Sequence, residues 1–244
     1  ACRDRCNTQV ATCRSYMGTN MAKTVLVLGA NRGLGLEFAK QYAGDGYDVI
    51  ATCRRPAEAA ELRRVGVRIE ALDTSTSSSI EALALKLKDE SIDVMICNAG
   101  VYGPRNDGLT DLPTEDFDLV MRTNVLGPLR LTLAFADNVA RARGAMVYMS
   151  SRMGSITTMS SSSGIAYRAS KAALNAMVKA TSLELGKKGV RVMALHPGWV
   201  RTDMGGPQAS LTPTESVAGM RHVIDKASDL HGGFYDNTGA TIPW

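Results

Sequence analysis

The sequence predicts one α/β domain built on a doubly wound parallel sheet with helices on both faces. From Lys23 onward, short apolar runs alternate with stretches of helical pattern, and repeated units of this kind imply parallel strands covered on both sides. At the first junction, the apolar run ending at Leu28 meets Gly29, Gly33 and Gly35 and continues as a helix. Such a turn lets backbone come close to a phosphate, and the unpaired N–H groups of the helix start favour its charge. The length of 244 residues suits a single large domain.

The elements follow in order. Thr24 to Leu28 reads as the first strand and Leu34 to Ala43 as a helix, with Gly44 and Gly46 suited to its end. Tyr47 to Cys53 is the second strand, followed by a short helix from about Ala57 to Arg64. Val67 to Leu72 is the third, and Ser78-Ser79-Ile80-Glu81 resembles a capping box for a helix ending near Lys88. Ile92 to Cys97 is the fourth strand, and one long helix is expected from about Thr114 to Arg141. Ala145 to Met149 is the fifth strand, Ile165 to Gly186 a helix, and Val190 to Leu195 the sixth strand. Thr212, Pro213 and Glu215 supply an N-cap, a proline at N1 and an acid at N3 for a last helix to about Ala227.

Residues 1–20 differ from the rest. They hold Cys2, Cys6 and Cys13 with three arginines and no clear apolar period, and are expected to be a disordered leader or tag-like tail, an organelle transit segment being the alternative. The domain then spans 21–244. A net charge of +4 with 5% aromatics argues against nucleic acid. No apolar run approaches the roughly 20 residues of a membrane helix, so no membrane partner is expected. Cys53 and Cys97 are expected as buried thiols.

Ligands of such a sheet gather beyond the C-terminal strand ends. The glycine turn comprises Gly29, Asn31, Arg32, Gly33, Leu34 and Gly35. After the second strand come Arg54 and Arg55, roughly 20 residues on, where an acid would otherwise select a free ribose hydroxyl. With Arg32 they suit a 2′-phosphate, the alternative being solvated loop charges. Asp73 is available to an adenine amino group or to a turn. Asn98, Ala99 and Gly100 let the chain pass close to a ribose. Pro197, Gly198, Val200 and Thr202 offer exposed backbone and a hydroxyl.

The chemistry lies in Tyr167 and Lys171, four apart and so on one helix face. A nearby ammonium favours the phenolate and moves the tyrosine toward an acid/base range. Ser150 or Ser151 can stand beside it and hydrogen-bond a carbonyl oxygen as charge develops there. Adjacent strand residues face opposite ways, so only one of the two can serve. Asn124 is a poor helix former that would point to solvent or hold a water near the lysine. Asp203 to Leu211 is expected to be a mobile lid, with Tyr102 and Trp199 as pocket walls or core.

These residues occur in the order of the short-chain dehydrogenase/reductase family, which the chain resembles from Lys23 to Trp244. The phrases ANRGLG, ATCRRP, SSRMGSI, AYRASKAALN and HPGWVRTDMGG resemble its C-factor and sniffer-like carbonyl reductases. The resemblance implies a Rossmann-type fold, NADP(H) as cofactor and a small-molecule carbonyl or alcohol substrate. It makes Tyr167 the general acid, Lys171 the group that lowers its pKa and contacts the nicotinamide ribose, Ser151 the substrate-positioning hydroxyl and Asn124 the holder of a relay water. Gly29, Arg32, Leu34 and Arg54 would meet the adenosine phosphates, Asp73 the adenine, Asn98 the ribose, and Val200 and Thr202 the carboxamide. It also implies a cytoplasmic homodimer or homotetramer paired through the long helices. A signalling protein that binds NADP(H) is the second reading. The chain departs from the family at Leu28, where a turn-stabilising threonine is usual, at Cys97, where a second asparagine is usual, and in a lengthened loop from Thr157 to Gly164.

Overall fold

The computed structural model describes residues 22–105, 111–226 and 229–244; the segment 1–20 lies outside them. The strands are β1 (Thr24–Leu28), β2 (Asp48–Cys53), β3 (Arg68–Ala71), β4 (Val94–Cys97), β5 (Ala145–Met149), β6 (Arg191–His196) and β7 (Phe234–Asp236). The helices are α1 (Gly33–Gly44), α2 (Ala60–Val65), α3 (Ser77–Lys86), α4 (Thr114–Met121), α5 (Gly127–Arg141), α6 (Ile165–Leu185) and α7 (Pro213–Asp225). All strand pairs are parallel, in the order β3-β2-β1-β4-β5-β6-β7.

Alternation along the strands divides the core. Val25 and Val27 of β1 join the cluster under α1 and α7 with Phe38, Tyr42, Val217 and Met220. Leu26 and Leu28 face the opposite way, into a cluster with Leu83, Leu131, Phe135 and Leu174 of α3, α5 and α6. With both faces covered, loops converge at the strand ends, and the order in which strands are added reverses between β1 and β4. That crevice is where such sheets take ligands.

Three expectations need correction. The long helix from Thr114 to Arg141 is interrupted by a π turn at Arg122–Leu126. Pro128 lacks an N–H, so the α-helical donor to the Asn124 carbonyl is missing and the helix widens there. The capping box at Ser78 does not form: α3 begins at Ser77 behind Thr76, which makes no side-chain cap, and the Ser79 hydroxyl accepts the Asp73 N–H instead (2.8 Å). The sheet also gains a seventh strand, three residues long, held by pairing to β6 rather than by any alternation of its own.

Candidate active site

The glycine turn closes against β2 and β4. Gly29 takes φ +88°, and a Cβ there would meet the Ala99 Cβ at 2.9 Å. A Cβ at Gly35 would fall 2.1 Å from the Gly29 carbonyl oxygen. Neither position tolerates a side chain without displacing backbone. Thr52, fully buried in β2, accepts the Gly29 N–H on its hydroxyl (3.1 Å). It thus supplies from a neighbouring strand a hydroxyl that Leu28 cannot, and nothing in the sequence singled it out. Asn98 donates its side-chain amide to the Gly29 carbonyl (2.7 Å), so it braces the turn. Arg32 stands at the N-cap of α1 without a side-chain cap, and the first turn holds no acid. The helix start therefore keeps its unpaired N–H groups and positive end open to an anion. Asn31 is exposed beside it and Leu34 half-buried.

The arginines divide. Arg32 pairs with Asp203 of the loop after β6, both side chains being largely exposed. Arg55 pairs with Glu58 at 3.1 Å, both side chains again being largely exposed. Arg54 is exposed, and its charge helps keep the Asp73 carboxyl below the usual range, after the hydrogen bonds from Ser75. Those bonds, from the Ser75 N–H (2.9 Å) and hydroxyl (2.6 Å), place one Asp73 oxygen in a turn.

Beyond β5 the two serines separate as strand geometry requires. Ser150 donates to Asn175 (2.6 Å), away from Tyr167. Ser151 stands beside Tyr167, where its hydroxyl favours the phenolate, and that hydroxyl accepts the Met153 N–H (3.2 Å). Gly154 lets α6 pack closely, since a Cβ there would lie 2.6 Å from the Lys171 Cβ. Lys171 is buried and donates to the Met149 carbonyl (2.7 Å).

Asn124, which the sequence left between solvent and site, is buried in the π turn. It accepts the Val101 N–H (2.9 Å) and donates to the Val101 carbonyl (2.8 Å) and the Ser170 hydroxyl (3.0 Å). A Cβ at Gly100 would stand 3.2 Å from the Asn124 Oδ1 and 3.6 Å from the Lys171 Nζ, so both polar ends face the same space beside this glycine.

Burial governs the protons. It pushes the Tyr167 phenol up to about 12 against the effect of the Ser151 hydroxyl, with Tyr102 adding to the rise. It brings the Lys171 ammonium down to about 8. The sequence predicts a lowered phenol; in the folded chain desolvation outweighs the lowering effect of Ser151. At neutral pH the phenol keeps its proton and the lysine its charge.

The loop after β6 completes the crevice. Gly198 takes φ +82° after Pro197, Val200 bridges to Leu211, and the Thr202 methyl packs where a Cβ on Gly33 would lie 3.5 Å away. The expected mobile lid is internally bonded: Gly206 donates to the Thr202 carbonyl (2.8 Å) and Leu211 to that of Trp199 (3.0 Å). Trp199 is 56% exposed and donates to the Gly205 carbonyl, which pins this loop; it is not part of the core. Tyr102 does face the site, stacked on Tyr167.

Residues 23–211 match the family model for short chain dehydrogenase. The chain belongs to the short-chain dehydrogenase family. Among this dehydrogenase's relatives, the C-signal of Myxococcus xanthus is 41% identical over 68% of this chain and 100% of its own length. A solved short-chain dehydrogenase/reductase from Burkholderia multivorans with bound NADP superposes with a TM-score of 0.85 at 34% identity, over 91% of this chain and 100% of that one. The carbonyl reductase Sniffer of D. melanogaster does so with a TM-score of 0.84 at 30% identity and the same coverage. The resemblance to the C-factor and sniffer-like branch is therefore found in both sequence and fold. No helix among the described residues is long and apolar enough to cross a membrane.

Proposed function

We propose that this dehydrogenase reduces an aldehyde or ketone to the alcohol with NADPH. The observation that carries the reading is that Ser151, Tyr167 and Lys171 lie together at the strand ends that also hold the glycine turn. The turn fits a dinucleotide: side chains at Gly29 and Gly35 would fill it, the start of α1 is uncapped, and exposed Arg32 and Arg54 suit a 2′-phosphate. The NADP-bound Burkholderia relative and the Sniffer carbonyl reductase support both cofactor and reaction.

When bound, the cofactor supplies a hydride to the carbonyl carbon. Gly29, Asn31, Gly33, Leu34 and Gly35 would hold its phosphates with Arg32, Arg54 and Arg55, Arg32 exchanging Asp203 and Arg55 exchanging Glu58 for the anion. Asp73 offers its remaining oxygen to the adenine. Asn98, Ala99 and Gly100 give the riboses a close path, and Pro197, Gly198, Val200 and Thr202 orient the nicotinamide end. Ser151 donates a hydrogen bond to the substrate oxygen, and Tyr167 transfers its phenolic proton to that oxygen as charge develops. Lys171 favours the phenolate so formed. Asn124 holds the water through which the phenol regains its proton.

The free thiols Cys53 and Cys97 accord with a reducing, cytoplasmic setting. Leu133 of α5 and Leu183 of α6 are 73% and 64% exposed, which accords with pairing of copies through these helices. Initial rates of NADPH and NADH oxidation over aldehydes, ketones and quinones test the reading, with Tyr167→Phe in parallel. Turnover is expected with NADPH and should fall by a factor of about 10²–10⁴ in the variant. Tight NADPH binding without turnover would instead favour a signalling protein, the second reading, to which the 41% identity with the C-signal points.

A further inference from the structure

This inference rests on the role given to Tyr167 above. One face of the Tyr167 ring is covered by Tyr102, with ring centres 4.6 Å apart and planes inclined by 20°. The Arg105 guanidinium lies over the Tyr102 ring, 4.8 Å from its centre. Since Tyr167 occupies one face of Tyr102, Arg105 takes the other. The Lys171 Nζ stands 5.5 Å from the centre of the Tyr167 ring. Two aromatic rings are thus layered between two cations, and the reacting phenol belongs to the ring beside the lysine.

The backbone around Tyr102 is shaped for this stack. Asn124 grips both the N–H and the carbonyl of Val101, the preceding residue. Gly103, at φ +78°, turns the chain immediately afterwards, where a Cβ would fall 2.5 Å from Val120. On the facing side Gly164, at φ +65°, opens α6, and a Cβ there would lie 2.6 Å from the Tyr102 hydroxyl oxygen. Arg105 is fixed in turn by donating to the Met204 carbonyl (2.7 Å).

We propose that Tyr102 is a positioning residue for carbonyl reduction, whose ring fixes the plane of the Tyr167 phenol and keeps water off that face. A tyrosine side chain near a helix start has two torsions to settle, and the stack restrains both. Stacked rings prefer this separation, and small displacements of a reacting group are costly to the rate. Exclusion of water also accords with burial being the leading cause that holds the phenol protonated.

The test compares Tyr102→Leu and Tyr102→Phe in the full chain, each checked by thermal melting. Tyr102→Leu should lower kcat by about tenfold, leave the KM for NADPH within about twofold, and move the alkaline limb of the reduction profile to lower pH. Tyr102→Phe keeps the ring and should recover most of kcat and the limb. Should the leucine variant unfold, Tyr102→Met replaces it. An independent readout is the ultraviolet titration of Tyr167, taken as the difference from Tyr167→Phe in each background. It should shift toward the ordinary tyrosine value near 10 in Tyr102→Leu. Unchanged kcat and titration in Tyr102→Leu would overturn the proposal, as would equal losses in both variants, which would assign the effect to the hydroxyl. If the wild type turns over no carbonyl, the reductase reading fails and the titration alone decides the role of Tyr102.

Discussion

Tyr167 and Lys171 stand four residues apart on α6, and burial opposes the charged form of each: the phenol moves up to about 12 and the ammonium down to about 8. A buried cation bonded to a carbonyl costs stability that the reaction needs spent. Below pH 8 the lysine is charged in folded and unfolded chains alike, so the full cost is present. As pH rises from 8 toward the ordinary lysine value near 10.4, the folded chain loses its proton first and stability increases. Lys171→Met should therefore raise stability at pH 7 by on the order of 2 kcal/mol, remove the gain above pH 8, and suppress turnover. Urea unfolding at a series of pH values checks this; a destabilised variant with the same pH slope as wild type would contradict it. Tyr167, Lys171 and the glycines were legible because residue type and spacing carry their chemistry. Thr52, Asn175 and the stacking of Tyr102 were not, because their partners lie 23, 25 and 65 residues away in the chain.

At the scale of elements, local chemistry explains which helix signals held. Thr212 and Glu215 form the reciprocal cap expected of α7. At α3 the same kind of signal failed, because the helix starts at Ser77 and Ser78 already lies inside it, while Ser79 satisfies the Asp73 N–H of the turn before the helix. The π turn was hidden in a sequence that reads as continuous helix, although Gly127 and Pro128 mark its end. A Cβ at Gly127 would fall 2.6 Å from the Thr74 carbonyl, so the helix is pressed against the segment after β3 at the point where it widens. This placement turns Asn124 inward. Asn124→Leu removes three hydrogen bonds and takes from the half-buried Val101 N–H and carbonyl their side-chain partner. We expect a loss of about 2–4 kcal/mol in urea unfolding and a fall in kcat exceeding any change in cofactor affinity. Wild-type kcat in a folded Asn124→Leu variant would show that the π turn has no part in the reaction.

For the whole molecule, the order of strands matters more than any single motif. The turn at Gly29, the serine and tyrosine pair beyond β5 and the loop at Thr202 are far apart in sequence, and parallel pairing through β1, β4, β5 and β6 brings them to one end of the sheet. Side chains then tie the loops across the crevice, Arg32 to Asp203 and Arg105 to the Met204 carbonyl. The fold class and six of the strands were legible from alternation and glycine placement; β7 was not, since three residues of an edge strand carry no period of their own. In the proposed reaction hydride passes from the cofactor to a carbonyl carbon while Tyr167 gives the proton. The most direct measurement follows deuterium from NADPH labelled at both C4 positions, with a reactive aldehyde as acceptor. Deuterium is expected on the carbinol carbon of the alcohol, and is expected to be nearly absent with Tyr167→Phe although that variant still binds NADPH. Tight binding by the wild type with no label in any product would contradict it.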